Sequence, residues 1–478
     1  MNNNLLTTAD AYKFSHPLAM PPKFTKNYGY AELRVGAKYD ITSWIGLKPI
    51  VKDLFLSVPT DAHIEEAKED SFSTFGQNYF QEEIWRKVQK LGYIPVNIKA
   101  LPEGMNVPTS TPLFTYESTQ DWFAPAVNSI ETALMKFWYP TVISSRSASI
   151  KRKLIPIVEK SGTIELLEFM VTDFGARGTG SERNSELGGM AHMLHFQGSD
   201  NMAANRFIHN YYGFQGRAKS VWATEHSVAL AFGPGKGEVE YLKWQLNTVP
   251  LNATFAVVID TYDSDNFMLN VVSEPEIVEL IKNRAAAGGS ITFRPDSGIP
   301  AEQVEMVLST LAGIFGYKLN SKHYKVLNHN VRCIQGDGMN EDTIISLYEG
   351  ILANKWSSDN LFVGSGGGLL TAGADRDTMR AAIKPSFGII DGTEYNFQKT
   401  PKSDPTKSSK TGRLKVHPGL NNNMRTISSV NETPWQFNSY ADLLEPLLID
   451  GKLVRDDNFK DMLERANRPC GWIEYGTK

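Results

Sequence analysis

ITFRPDSGIPAEQVEMVLSTL, residues 291–311, shows the pattern of the central part of the chain. A short apolar run, Ile291 to Phe293, gives way to a polar turn with Arg294, Asp296 and Gly298. Val304, Val307, Leu308 and Leu311 then recur at helical spacing. The same unit is written on both sides. Residues 255–259 end at Asp260, and a helix over 274–287 has Pro275 at a favoured first position. Residues 331–334 run into Gln335, Gly336, Asp337 and Gly338, followed by a helix with Ile344, Ile345, Tyr348 and Leu352. Residues 361–363 end in Gly364, Ser365, Gly366, Gly367 and Gly368. Four strand-then-helix units in succession require parallel strands joined by right-handed crossovers. A (β/α) barrel is the simplest such sheet, and a doubly wound open sheet is the other solution.

Outward from this core the pattern changes. The first 140 or so residues mix strand-like runs (26–33, 96–100, 112–116) with helical stretches, clearest over 79–91, and read as an α+β domain. Ile130, Leu134, Phe137, Ile143, Ile150 and Ile155 suggest a helical connector around Pro140. The expected division is 1–145, 146–385 and 386–478, the last segment completing the first domain and carrying a basic stretch at 399–415.

With 478 residues, 41% hydrophobic and 21% charged, the chain is long enough for two or three domains with their own cores and unlike a disordered, collagenous or coiled-coil protein. Lys and Arg number 49 against 53 acidic residues, so no global field would hold nucleic acid or an anionic membrane, and any polyanion site is local. Cys333 and Cys470 form neither a disulfide framework nor a metal-ligand cluster. No secretory signal and no run of about eighteen apolar residues is present. The expectation is a cytoplasmic protein with no membrane and no nucleic-acid partner.

In a parallel barrel the loops after the strands converge on one face. Here they carry Asp260, Arg294 with Asp296, Gly336 with Asp337, and Ser365 with the glycines. A lone acid after a strand reads first as a helix cap, most easily so for Asp263; several in register read as a site. The glycine run suits a phosphate cradle, since it lets backbone amides approach an anion, and a flexible turn is the plainer reading. It has neither the Lys-Ser/Thr pair of a Walker loop nor dinucleotide spacing. The acids offer hard oxygens for ribose hydroxyls or for Mg2+ arriving with its substrate. The 399–415 stretch is a solvated loop or, folded over a barrel mouth, a source of cations for polyphosphate, with Lys399 and Lys407 as the working residues. His226 stands beside Glu225, an acid able to orient it, and is either a satisfied structural histidine or a phosphate-contacting one.

The segments TTADAYKFSH (7–16), VTDFGARG (171–178), HFQGSDN (195–201), ATEHS (223–227), DTYD (260–263), FRPDSG (293–298), IQGDG (334–338) and VGSGGGLL (363–370) together resemble the nicotinamide phosphoribosyltransferase family over nearly the whole chain. The resemblance implies a type II phosphoribosyltransferase fold, an irregular α/β barrel packed on a mixed-sheet α+β domain. It also implies a head-to-tail homodimer with shared sites. The implied reaction joins nicotinamide to 5-phosphoribosyl 1-pyrophosphate, with Mg2+ and with ATP as a coupled phosphoryl donor. By the same resemblance Phe174, and Tyr12 of a second subunit, clamp the pyridine ring; Arg177 and Arg294 contact the ring, its carboxamide and a phosphate; Asp200 accepts from the carboxamide. Asp260 and Asp296 serve ribose and Mg2+, and Gly336 and Asp337 the ribose loop. Ser365, Gly366, Gly367 and Arg376 hold the 5'-phosphate, while Arg34 of a second subunit, with Lys384, Lys399 and Lys407, holds the pyrophosphate and nucleotide phosphates, and His226 takes the phosphoryl group of ATP. Ala176, Ala256 and Ala382 depart from the family pattern by losing hydroxyls but no charge. Other readings are nicotinate phosphoribosyltransferase, a phosphate-binding barrel aldolase or isomerase, for which no strand-end Schiff-base Lys is found, and a non-catalytic ligand-binding protein on this fold.

Overall fold

The chain divides into two compact units in the computed structural model, which describes residues 4–419 and 424–469; Cys470 lies outside them. Unit 2, residues 146–207 and 215–372, is built on a sheet of six parallel strands. Their order is Val171–Asp173, Leu361–Ser365, Val331–Gln335, Ser290–Arg294, Thr254–Val258 and Trp222–Ala223. The strands are short and mostly buried, as expected where helices cover a parallel sheet. Two isolated parallel bridges, Asp173↔Ser199 and Gly198↔Lys219, carry the pairing from one edge strand to the residues just before the other. The result is an irregular barrel. The expected crossover helices are present as Pro275–Ala286, Pro300–Phe315 and Glu341–Ala353. Proline opens the first two, and Asn340 caps the third in a capping box with Thr343.

Pairing in this sheet is in register, with Ser365 opposite Asp173, Val363 opposite Gln335, and Val258 opposite Arg294. Strands aligned in this way end at one level, so the residues after them share one rim.

Unit 1, residues 1–145, 208–214 and 373–478, holds a seven-stranded sheet. Its order is Thr393–Asn396, Ala381–Ile390, Phe24–Leu33, Pro112–Ser118, Val96–Ala100, Glu445–Ile449 and Lys452–Leu453. Every pairing is antiparallel, which corrects the expectation of a mixed sheet. The boundary expected at 385 also moves. It falls inside strand Ala381–Ile390, whose partner is Phe24–Leu33, so the chain leaves unit 2 at Ala372. Pairing between strands some 360 residues apart leaves no local signal at that point. The expected helix over 79–91 is Glu82–Leu91, and the connector is Glu131–Met135 followed by Trp138–Ser161, with Pro140 tolerated in the latter's first turn.

Among the described residues no helix is long and apolar enough to cross a membrane. Arg284 supplies one strong fixing point in unit 2. It is buried, its ring-facing side lies 4.6 Å from the centre of Phe255, and it donates to the carbonyls of Leu246, Val249, Pro250 and Ala253 at 2.7–3.0 Å. These carbonyls end helix Lys236–Thr248 and begin the turn into the next strand. Arg284→Met strands several buried acceptors and is expected to cost about 3 kcal/mol or more, read as a fall in the urea midpoint.

Candidate active site

Strand Val171–Asp173 releases the chain at Phe174, whose N–H donates to the Ser365 carbonyl at 3.0 Å. The Phe174 ring lies directly over Gly364: a Cβ added there would fall 1.9 Å from Phe174 Cε2. It also lies near Gly336, where an added Cβ would be 3.9 Å from the same ring atom, 3.1 Å from Asp296 Oδ1 and 3.8 Å from Arg294 Nη1. Phe174, Asp296, Arg294, Gly336 and Gly364, up to 190 residues apart in the chain, therefore meet on one rim. The glycines are needed for close approach rather than for flexibility.

A cavity of about 870 Å3 runs inside the barrel. Phe174, Arg177, Asp200 and Arg294 line it at the strand ends, and Thr254, Ser290, Asn330 and Arg332 at the strand beginnings. Ala176 and Ala256, two of the departures from the family pattern, also face it. Asp200 is exposed to this space and accepts a hydrogen bond from Ser220 Oγ at 2.5 Å. Arg177 is exposed, with the Glu225 carboxylate 3.7 Å away. Beneath them Asp173 is fully buried, and burial above all, with the charge of Asp200 adding, pushes its carboxyl up to about 6.

The second group of acids surrounds His226. Its Nδ1 pairs with Thr261 Oγ1 at 3.0 Å, and Nε2 lies 3.6 Å from Asp296 and 3.8 Å from Asp260. The expected orienting acid, Glu225, does not do this. It accepts from Ser227 at 2.6 Å and faces Arg177, because position 225 precedes the helix that begins at His226 and points its side chain elsewhere. Asp260 Oδ2 accepts from the Asp296 N–H at 3.0 Å and from Ser297 Oγ. Its Oδ1 is buried with no hydrogen-bond partner. Arg294 Nη1 lies 3.4 Å from Asp296, and Asp337 is exposed. Asp263 caps the short helix after it by accepting from Asn266 N, as expected. The orphaned Asp260 oxygen and the nearby Asp296 carboxylate suit a hard cation, but no set of three or more His, Cys, Asp or Glu among the described residues could hold one alone. The residues therefore fit Mg2+ that brings oxygens of its own substrate.

The glycine run follows strand Leu361–Ser365 and enters the short helix Gly367–Leu370. Ser365 is buried and spends its hydroxyl on the Met339 carbonyl at 2.5 Å, so backbone amides rather than that hydroxyl are left for an anion in this conformation.

Tyr12, Arg34, Arg376, Lys384, Lys399 and Lys407 belong to unit 1. Tyr12 is exposed, its ring 5.1 Å from His16. Lys384 is pulled below the usual lysine range by burial, with Arg34, Lys399 and Lys13 as neighbouring charges and Glu131 opposing them. Arg34, Lys384 and Lys399 thus share one electrostatic neighbourhood, to which the strand pairing Tyr30↔Lys384 contributes. Arg376 and Lys407 form ion pairs with Asp377 and Asp404. Lys410, not singled out in the sequence, is drawn inward to Glu32 and Ser110. Sequence reasoning also missed Asp173, Ser220 and Thr261. Asp173 carried a signal, an acid at the last strand position before Phe174; the two hydroxyls carried none.

The model of the nicotinate phosphoribosyltransferase (NAPRTase) family matches residues 169–463, and that of the nicotinamide phosphoribosyltransferase N-terminal domain matches residues 4–98. A nicotinamide phosphoribosyltransferase of Xanthomonas campestris pv. campestris is 34% identical over 97% of this chain and 98% of its own. The chain belongs to the nicotinamide phosphoribosyltransferase family. Among solved structures the fold is similar to a nicotinate-nucleotide pyrophosphorylase of Pyrococcus furiosus, with a TM-score of 0.62, 14% identity and 98% of this chain and 95% of that one covered. It is also similar to human nicotinic acid phosphoribosyltransferase, with a TM-score of 0.56, 15% identity and coverage of 96% and 92%. These likenesses place the type II phosphoribosyltransferase fold under this member of the family.

Gly364→Ala tests the aromatic wall. A methyl group at that position displaces the Phe174 ring, so affinity for a flat heterocycle, followed by calorimetric titration, is expected to fall at least tenfold, with a stability loss of about 1–3 kcal/mol from overpacking.

Proposed function

We propose that the chain transfers the 5-phosphoribosyl group of 5-phosphoribosyl 1-pyrophosphate to nicotinamide, giving nicotinamide mononucleotide and pyrophosphate, with ATP hydrolysis coupled through His226. The observation that carries this reading is the pairing of Phe174 with Asp200 in one cavity. The ring supplies an apolar face for a pyridine, worth roughly 0.5–1.5 kcal/mol beyond area burial. The carboxylate accepts from a carboxamide NH2 and repels the carboxylate of nicotinate. Ser220, already donating to Asp200, holds that carboxylate in the orientation required.

The pyridine nitrogen carries its own lone pair, so its attack on C1' needs no general base. The chain's work is positioning and charge. Phe174 fixes the plane of the nucleophile, Arg294 and Arg177 offset anionic oxygens, and amides of the 366–367 turn face the 5'-phosphate. Asp260 and Asp296 would hold Mg2+ together with the donor's oxygens, and the bound ion would neutralise charge on the departing pyrophosphate. In the tautomer with its proton on Nδ1, paired with Thr261, the Nε2 lone pair of His226 is left to accept a phosphoryl group beside these carboxylates.

Tyr12, Arg34, Lys384 and Lys399 complete the site in this reading from the second copy of a head-to-tail homodimer, with Lys407 and Arg376 as further phosphate contacts. Exposure of Tyr12 supports this. Nicotinate phosphoribosyltransferase activity, to which the larger family model is named, is the competing reading, and Asp200 weighs against it.

Nicotinamide mononucleotide formation, measured with nicotinamide or nicotinate and with or without ATP, tests the proposal; absence of product from nicotinamide would overturn it. Asp200→Asn is expected to shrink the kcat/KM ratio of nicotinamide to nicotinate by at least tenfold. His226→Ala is expected to bring the ratio of turnover with and without ATP to about one. Mixing inactive Tyr12→Ala and Asp200→Ala subunits is expected to restore about a quarter of full activity, since half of the dimers would be mixed and one site in each intact.

A further inference from the structure

Asp173 is a fully buried acid with no cation in salt-bridge range among the described residues, a costly arrangement for a group that only holds a turn. Its hydrogen bonds all lead to the walls of the base pocket. Oδ1 accepts from the Gly175 N–H at 2.7 Å, which folds the chain back immediately after Phe174. Oδ2 accepts from Asn201 Nδ2 at 3.2 Å, the residue immediately after Asp200. The Asp173 carbonyl accepts from the Asp200 N–H at 3.0 Å, and its own N–H donates to the Gly198 carbonyl at 3.0 Å. Asn201 is in turn tied to helix Glu182–Met193, donating to the Ser185 carbonyl and accepting from Ser185 Oγ, while its Oδ1 caps the next helix at Ala204 N. Gly189 of that helix comes so close that an added Cβ would lie 2.9 Å from Asp173 Oδ2 and 2.5 Å from Asn201 Nδ2. There is no slack in this arrangement.

The geometry points to Asp173 as a positioning residue for the base: one buried carboxylate fixes the aromatic wall and the acceptor carboxylate relative to each other and places a second negative charge behind Asp200. This rests on the reaction proposed above. Neutral donors alone satisfy both oxygens; an asparagine would fill the same space but lose the charge and turn its NH2 toward one of these donors, Gly175 N–H or Asn201 Nδ2, so Asp173→Asn removes the charge and one of the two ties together. A base bearing a carboxylate would meet two negative groups, a carboxamide base only an acceptor.

Two variants test this on the full chain with nicotinamide, nicotinate and 5-phosphoribosyl 1-pyrophosphate as the probes. Asp173→Asn is expected to raise KM for nicotinamide at least fivefold and to reduce the nicotinamide-to-nicotinate kcat/KM ratio at least threefold, with KM for the phosphoribosyl donor within twofold of the parent. Asn201→Ser retains a helix-capping oxygen and the buried charge but loses the amide donor. It is expected to raise KM for nicotinamide at least threefold with a smaller change in the ratio. A parent enzyme inactive on nicotinamide would refute the reaction itself. With an active parent, an unchanged nicotinamide KM in Asn201→Ser, or equal changes in both substrates' KM in either variant, overturns the role of Asp173. Should Asp173→Asn fail to fold, the Asn201→Ser result decides alone.

Discussion

Parallel pairing of strand Val171–Asp173 with strand Leu361–Ser365 is the constraint on which the site depends. It joins the first strand of unit 2 to the last across some 190 residues, with Ser365 opposite Asp173. A slip of one residue would send Asp173 to the other face of the sheet and carry the Phe174 ring away from Gly364. Closing so long a loop costs conformational entropy, and the buried core of unit 2 must compensate for it. Once closed, every other strand end takes its level from its neighbour through in-register pairing.

On that rim the acids are divided by environment. Asp200 is open to the cavity and held by a hydroxyl, Asp173 is buried under it, and Asp260 and Asp296 are linked by a backbone N–H beside His226. The first pair suits recognition of a neutral donor group; the second suits a cation and phosphate oxygens. In the proposed reading, four carboxylates of one residue type would serve two chemistries, because solvent access and hydrogen-bond partners differ between them.

Unit 1 shows the opposite electrostatics. Lys384 sits on a strand beside Arg34, Lys399 and Lys13, and its desolvation lowers its affinity for a proton, a cost that an incoming anion would offset. The basic loop read from composition is less uniform than its sequence suggests, since Lys410 turns inward to Glu32 and Lys407 is paired with Asp404.

By itself the sequence determined the strand-then-helix units, the Pro275 start, the Asp263 cap and the rim residues Asp260, Arg294, Asp296 and Gly336, because side-chain periodicity and turn chemistry are local properties. The motifs from DAYK to VGSGGG also determined the family. Tertiary structure alone decided that the N-terminal sheet is wholly antiparallel, that strand Ala381–Ile390 belongs to it, and that Thr261 rather than Glu225 holds His226. It alone showed Asp173, missed in the sequence, as the tie between Phe174 and Asp200. Each of these depends on which distant segments share a hydrogen bond, and a hydrogen bond between remote residues leaves no periodic trace in either segment.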